Sequence, residues 1–173
     1  QIIYDDTNLY TERWKEVLPQ LKEDTFLFLH EDMVLFDEVD FGYIQRYYNL
    51  VNSGKVDSIK LIYTNSTNPA SDIDNTLIPS AFSIQPTLIN QKYFVSLLNS
   101  VPSLNIWNFE EEVQSIGNHY MVKLGGEKQR GEYHCDSKVF PYIATAINKG
   151  KWNISEYKEE LDKLFGKYNI NPF

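Results

Sequence analysis

Apolar positions along this 173-residue chain fall into short runs that alternate between two periods. Trp14, Val17, Leu18 and Leu21 recur at helical spacing, with Pro19 weakening the last turn. Residues 26–36 then read as a strand with an extension: Phe26-Leu27-Phe28-Leu29, a break at His30-Glu31-Asp32, and Met33-Val34-Leu35-Phe36. Ile44, Tyr47, Tyr48 and Val51 lie on one face of a helix that stops near Asn52-Ser53-Gly54. Residues 57–63 read as a buried strand, 64–79 as a polar loop and 81–89 as another strand. Asn90 is placed to cap a short helix bearing Tyr93, Phe94, Leu97 and Leu98. Asn108, with Glu111 three residues on, resembles the capping box of a further helix. Residues 120–124 form a strand entering Gly125-Gly126. Val139, Tyr142, Ile143, Ala146 and Ile147 follow helical spacing, and Asn153 with Glu156 opens a last helix carrying Tyr157, Leu161, Leu164 and Phe165.

Strands that are nearly continuous apolar runs, alternating with helices, predict a single α/β domain over residues 1–173. Its sheet is expected to be mostly parallel and covered on both faces. Ligands in such sheets sit at the carboxyl ends of strands. His30-Glu31-Asp32 falls at such an end, and carboxylates there suit a hard cation, Mn²⁺ or Mg²⁺, that bridges to phosphate oxygens. Strand alternation would put His30 and Asp32 on one face.

Composition narrows the class. Hydrophobic residues at 42% and charged residues at 23% describe a globular chain. The net charge of −8 speaks against general nucleic-acid binding. No apolar run approaches the roughly 20 residues of a membrane span. A single cysteine, Cys135, excludes an internal disulfide and fits a reducing, cytoplasmic setting. Charge is also unevenly placed. Residues 24–40 hold six acids and no base, while residues 123–151 hold six bases against three acids. An acidic and a basic element in one domain suggest a joint grip on a metal and an anion.

Several stretches together resemble the nucleotide-sugar-dependent glycosyltransferases of the GT-A fold, of the small bacterial and viral type. His30-Glu31-Asp32 resembles their acidic metal motif, with His where Asp is usual. "SIKLIYTN" (58–65) resembles the strand that follows, and "FSIQPTLINQKYFVSLL" (82–98) the acceptor-side segment. "WNFEEE" (107–112) is similar to the acidic helix start that carries the general base in inverting members. "YHCDSKVFPYIATAINKGKWN" (133–153) resembles a C-terminal segment. The resemblance runs from about Asp5 to the end and implies a Rossmann-like, mostly parallel sheet. It lacks a first strand-helix-strand unit, so N-terminal truncation, an exposed sheet edge and a homo-oligomer are expected.

The same resemblance implies a nucleotide-sugar donor, a glycan or other hydroxyl acceptor, and a metal held by His30, Asp32 and His134. Glu110 is the candidate base and Glu111 the alternative, although adjacent carboxylates here also suit a helix N-terminus. Lys128 and Arg130, in a Gly125–Gly131 loop expected to be mobile, would close over the diphosphate, with help from Lys149 and Lys151. Lysines beside Gly150 equally suit a helix C-terminus. Trp107, Trp152 and Tyr133 are candidate sugar platforms. Two other readings stay open: a hydrolase with Zn²⁺ on His30, Asp32, His134 and Cys135, and a non-catalytic carbohydrate-binding or structural module.

Overall fold

A computed structural model describes residues 9–30, 32–64, 66–130 and 135–172. Among the described residues α1 (Tyr10–Val17) comes first, followed by a 3₁₀ turn holding Pro19, then β1 (Thr25–Phe28) and β2 (Val34–Leu35). Next come α2 (Phe41–Asn52), β3 (Ser58–Lys60), β4 (Leu77–Ser80), β5 (Thr87–Asn90), α3 (Gln91–Ser100) and α4 (Ile106–Val113). β6 (His119–Val122), β7 (Gly125–Gln129), β8 (Cys135–Ser137), β9 (Tyr142–Ile143), β10 (Ile147–Asn148), β11 (Lys151–Trp152) and α5 (Ile154–Tyr168) complete it.

The central sheet has the order β1-β5-β3-β6-β4. It is mixed: β3 pairs with β6 in parallel, and the other three pairings are antiparallel. The α/β class is as expected, but the mostly parallel sheet is not. The difference arises at residues 77–90, read as polar loop plus one long strand. The chain instead makes two short strands, β4 and β5, and both run against their neighbours. Strands β1, β3 and β6 still point the same way, so their carboxyl ends share one edge of the sheet.

Register assigns the two faces. Phe28, Thr87, Lys60, Met121 and Ile78 form one row across the sheet. Their face meets α1, α3 and α4, where Phe28, Ile89, Phe94, Leu97, Leu98, Phe109 and Val113 are buried together. The opposite face presents Ile59, Leu88, Tyr120 and Val122 to Tyr47 and Val51 of α2. Helix α5 packs on Ile143 and Ala146 through Tyr157, Leu161 and Leu164.

Local chemistry explains the helix starts. Asp40 caps α2 by accepting from Gly42 N (3.0 Å) and Tyr43 N (3.2 Å), and Asn90 caps α3 by accepting from Tyr93 N. Helix α4 is capped by Asn105, not Asn108: the Asn105 side chain accepts from Asn108 N at 3.0 Å. Its first turn therefore holds no acid, and none of Glu110, Glu111 and Glu112 serves as a cap.

Three further expectations differ. Residues 139–147 form no helix. Val139, Phe140 and Tyr142 enter the α2-side core, while Ile143 and Ala146 enter the α5 core. Gly125–Gln129 is strand β7, paired with β8, rather than a loop. A side chain at Gly125 would collide with the Tyr63 ring and the Asp136 carbonyl, so this glycine permits close chain approach. Lys149 (φ 50°) and Gly150 (φ 75°) form the turn of the β10–β11 hairpin, not a helix C-cap.

Candidate functional site

Strand β1 carries the apolar run to the sheet edge and stops at Phe28. His30 then turns toward the α1 side. Its ring lies 5.3 Å from that of Phe28 and 6.3 Å from that of Tyr10. Asp32 goes the other way: its carbonyl accepts from Ala146 N (2.8 Å), and its carboxylate is close enough to Tyr157 to oppose ionisation of that phenol. Met33 N donates to the His30 carbonyl (3.1 Å), a return too tight for an extended strand, so the alternation that would have put His30 and Asp32 on one face does not hold. Glu31, Tyr133 and His134 lie outside the described residues. Among the described residues, no three His, Cys, Asp or Glu side chains are grouped to hold a metal. Among the described residues Asp32 is the carboxylate of this segment, fewer donors than an all-protein cage needs. One carboxylate does match a Mg²⁺ or Mn²⁺ ion that takes its other oxygens from phosphates and water.

Glu110 occupies an apolar-stripe position of α4. Ile106, Phe109 and Val113 define the helix face turned to the sheet, and Glu110 falls within it. Its Oε2 accepts from Ile84 N at 2.9 Å. Glu111 and Glu112 point to solvent. Of the two base candidates, the structure turns Glu110 inward and Glu111 outward.

Glu110 has charged and polar company that the sequence reading passed over. Lys60, on the same sheet face, is only 7% exposed. Burial lowers its pKa to about 8, and the Glu110 carboxylate pulls in the opposite direction. The Tyr10 hydroxyl is buried, with no partner at hydrogen-bond distance among the described residues. Burial raises its pKa, the Trp14 side chain opposes that, and Glu110 adds to it. Tyr10 thus borders both His30 and Glu110. The signal for Lys60 was present in "SIKLIY": an ionisable residue inside a core-grade strand, as at His30-Glu31-Asp32.

His119 is buried in the same layer. Its Nδ1 faces Ser58 Oγ at 2.6 Å, and its Nε2 lies 2.5 Å from the Ile116 carbonyl and 2.9 Å from the Tyr93 hydroxyl. An Nε2–H that donates to Ile116 leaves Nδ1 to accept from Ser58, the pattern of a neutral ring. Burial depresses its pKa, and Lys60 adds to this against the Ile116 carbonyl and Asp57.

The basic residues are committed elsewhere. Arg130 is buried, pairs with Glu160 and lies 4.6 Å over the Phe36 ring. Lys128 Nζ bonds Glu159 (3.0 Å) and Glu160 (2.9 Å). These groups and Tyr157, whose hydroxyl donates to the Arg130 carbonyl (3.0 Å), line a cavity of about 550 Å³. Asp32 and Arg130 both act on Tyr157, so acidic and basic elements do meet there. Lys149 and Lys151 are exposed on the β10–β11 hairpin. Cys135 is half-buried and bridges Tyr63 through its backbone. Trp107 is 75% exposed, whereas Trp152 packs on Phe165.

No family model and no curated protein matches the chain. Among solved structures, the crystal structure of A197 from STIV is similar over 80% of this chain and 74% of that one, with 16% identity and a TM-score of 0.36. That likeness is slight. Among the described residues, no helix is long and apolar enough to cross a membrane.

Proposed function

We propose that this chain is a GT-A-type glycosyltransferase domain that moves a sugar from a nucleotide-sugar donor to a glycan or other hydroxyl acceptor. The observation that carries the reading is Glu110, a carboxylate turned inward on an apolar helix face, within electrostatic reach of a buried lysine. A buried lysine whose pKa is depressed by burial, beside an inward-turned carboxylate, is the kind of site where function concentrates.

In this reading Glu110 takes the proton of the acceptor hydroxyl. The acceptor oxygen bonds to the anomeric carbon as the bond from that carbon to the diphosphate breaks, and the leaving diphosphate carries the negative charge. Oε2 of Glu110 is fixed by Ile84 N–H, so Oε1 is the oxygen open to the acceptor. Asp32 would hold a Mn²⁺ or Mg²⁺ ion, which when bound neutralises charge on the diphosphate.

Calorimetric titration tests the metal half of the reading. Mn²⁺ with a nucleoside diphosphate should bind the wild-type chain, and Asp32→Ala should bind at least tenfold more weakly with its fold intact. Equal affinity in both proteins would remove Asp32 from the site.

A further inference from the structure

We propose that His119 is the pin of an acid-released latch, which ties the 114–118 turn between α4 and β6 to helix α3 and strand β3 and lets it go on protonation. The proposal goes beyond the transferase reading and does not rest on it.

The turn is exposed from Gln114 to Asn118, so burial does not hold it. Hydrogen bonds do. Tyr93, on α3, donates its hydroxyl to the Ile116 carbonyl and lies 2.9 Å from His119 Nε2. His119 Nε2 reaches that same carbonyl at 2.5 Å, and Nδ1 meets Ser58 Oγ of β3 at 2.6 Å. One imidazole thus links three segments. Asn118 N adds a bond to Asp57 Oδ2 (2.8 Å), and the Gln114 carbonyl accepts from Phe82 N (2.8 Å). Gly117 has φ 102°, and a side chain there would run into the Tyr93 ring, so the phenol sits directly on the turn.

The neutral ring satisfies its partners: Nε2–H donates to Ile116, and Nδ1 accepts from Ser58. A proton on Nδ1 forces the Ser58 hydroxyl to turn its hydrogen away, and that oxygen makes no other hydrogen bond with a described residue. Ser58 is fully buried, so water does not replace the lost acceptor. The new charge also has poor company. Lys60, two positions from Ser58 on the same face, is a second buried cation. Tyr93 from α3, Ser80 opposite in β4 and the Phe82 ring at 5.6 Å bring no charge. Among the described residues Asp57 is the carboxylate that acts on the ring, and it is half-buried and engaged by Asn118. Swinging the turn outward opens the imidazolium to water at little cost in buried surface.

Hydrogen exchange on the intact chain tests the latch, with protection taken as the free-peptide rate divided by the measured rate at the same pH. For the Ile116 and Asn118 amides, protection should fall about five- to eightfold from pH 7 to pH 5.5. The opened ring regains its usual midpoint near 6.5 and takes up a proton that the closed ring resists. The fall should vanish in His119→Gln, which does not titrate, and Tyr93→Phe should lower protection at both pH values. Dilute urea should leave these two amides unchanged while it speeds exchange in β3, since a local opening exposes little surface. Constant wild-type protection, an equal fall in His119→Gln or unaltered protection in Tyr93→Phe overturns the proposal. So do turn amides as urea-sensitive as those of β3. Should His119→Gln fail to fold, the ¹⁵N shifts of the wild-type ring decide: a neutral Nε2–H ring at pH 6.5 supports the latch, and a ring half protonated at that pH overturns it.

Discussion

Removing the Glu160 carboxylate should be the most damaging single change on the α5 side. Glu160 is 6% exposed, and it faces the Arg130 side chain, itself 9% exposed. In Glu160→Gln the guanidinium stays buried and loses its buried counter-charge; among the described residues the exposed Glu159 carboxylate and the Phe36 ring at 4.6 Å remain near it. Such a ring returns about 0.5–2 kcal/mol, against about 3–5 kcal/mol for stranding one partner of a buried pair. Lys128 adds little, because at 51% exposure its bonds to Glu159 and Glu160 are screened to below about 1 kcal/mol. The net loss is then about 3 kcal/mol, or about 6–12 °C in midpoint for a chain of this size. Urea unfolding followed by circular dichroism measures it, with an unchanged m-value as the check on two-state behaviour. The double change Arg130→Met with Glu160→Leu should recover most of the loss. A Glu160→Gln protein within about 1 kcal/mol of wild type would refute the reasoning. A double variant as unstable as the single would refute it too, by showing that packing rather than charge is at stake.

Other outcomes follow from single contacts. Asp40→Ala removes the cap of α2 and should cost about 1 kcal/mol in the same urea assay. Gly125→Ala should cost about 1–3 kcal/mol, since the new methyl meets the Tyr63 ring and the Asp136 backbone. His119 is neutral in the fold because its pKa lies below the usual value near 6.5. The unfolded chain therefore binds more protons, and stability is full above pH 6.5 and falls as pH drops below it. Thermal midpoints at pH 7 and pH 5.5 should separate in wild type and converge in His119→Gln; equal slopes in both would remove His119 as the source.

Helices α2 and α3 were legible because one face of each meets one core and an Asp or Asn precedes the first turn. The acidic break after β1 was legible for a related reason: ionisable residues interrupt a run that is otherwise fit for burial. Residues 139–147 misled because their apolar positions serve two cores. Tyr142 turns to α2 and Ile143 to α5, and the combined spacing imitates a helical stripe. The Gly125-Gly126 pair looked like a phosphate loop, yet its lack of side chains accommodates Tyr63 and Asp136. Strand direction depends on long-range pairing, so the antiparallel β4 and β5 left no local mark. Lys128 and Arg130 looked free in sequence because their partners lie some thirty residues on, in α5. The choice between Glu110 and Glu111 needed the phase of α4, and that phase is set by Asn105 at its cap.

Turnover of nucleotide sugars by three proteins tests the central claim most directly. Nucleoside diphosphate release would be followed with Mn²⁺ over a panel of donors, for wild type, Glu110→Gln and Glu111→Gln. Wild type should release product from at least one donor. Glu110→Gln should fall by about 10²–10⁴-fold, the usual share of a positioned base, while Glu111→Gln, altered on the solvent face of α4, should stay within about twofold of wild type. No release from any donor by wild type, or equal losses in the two variants, would contradict the account.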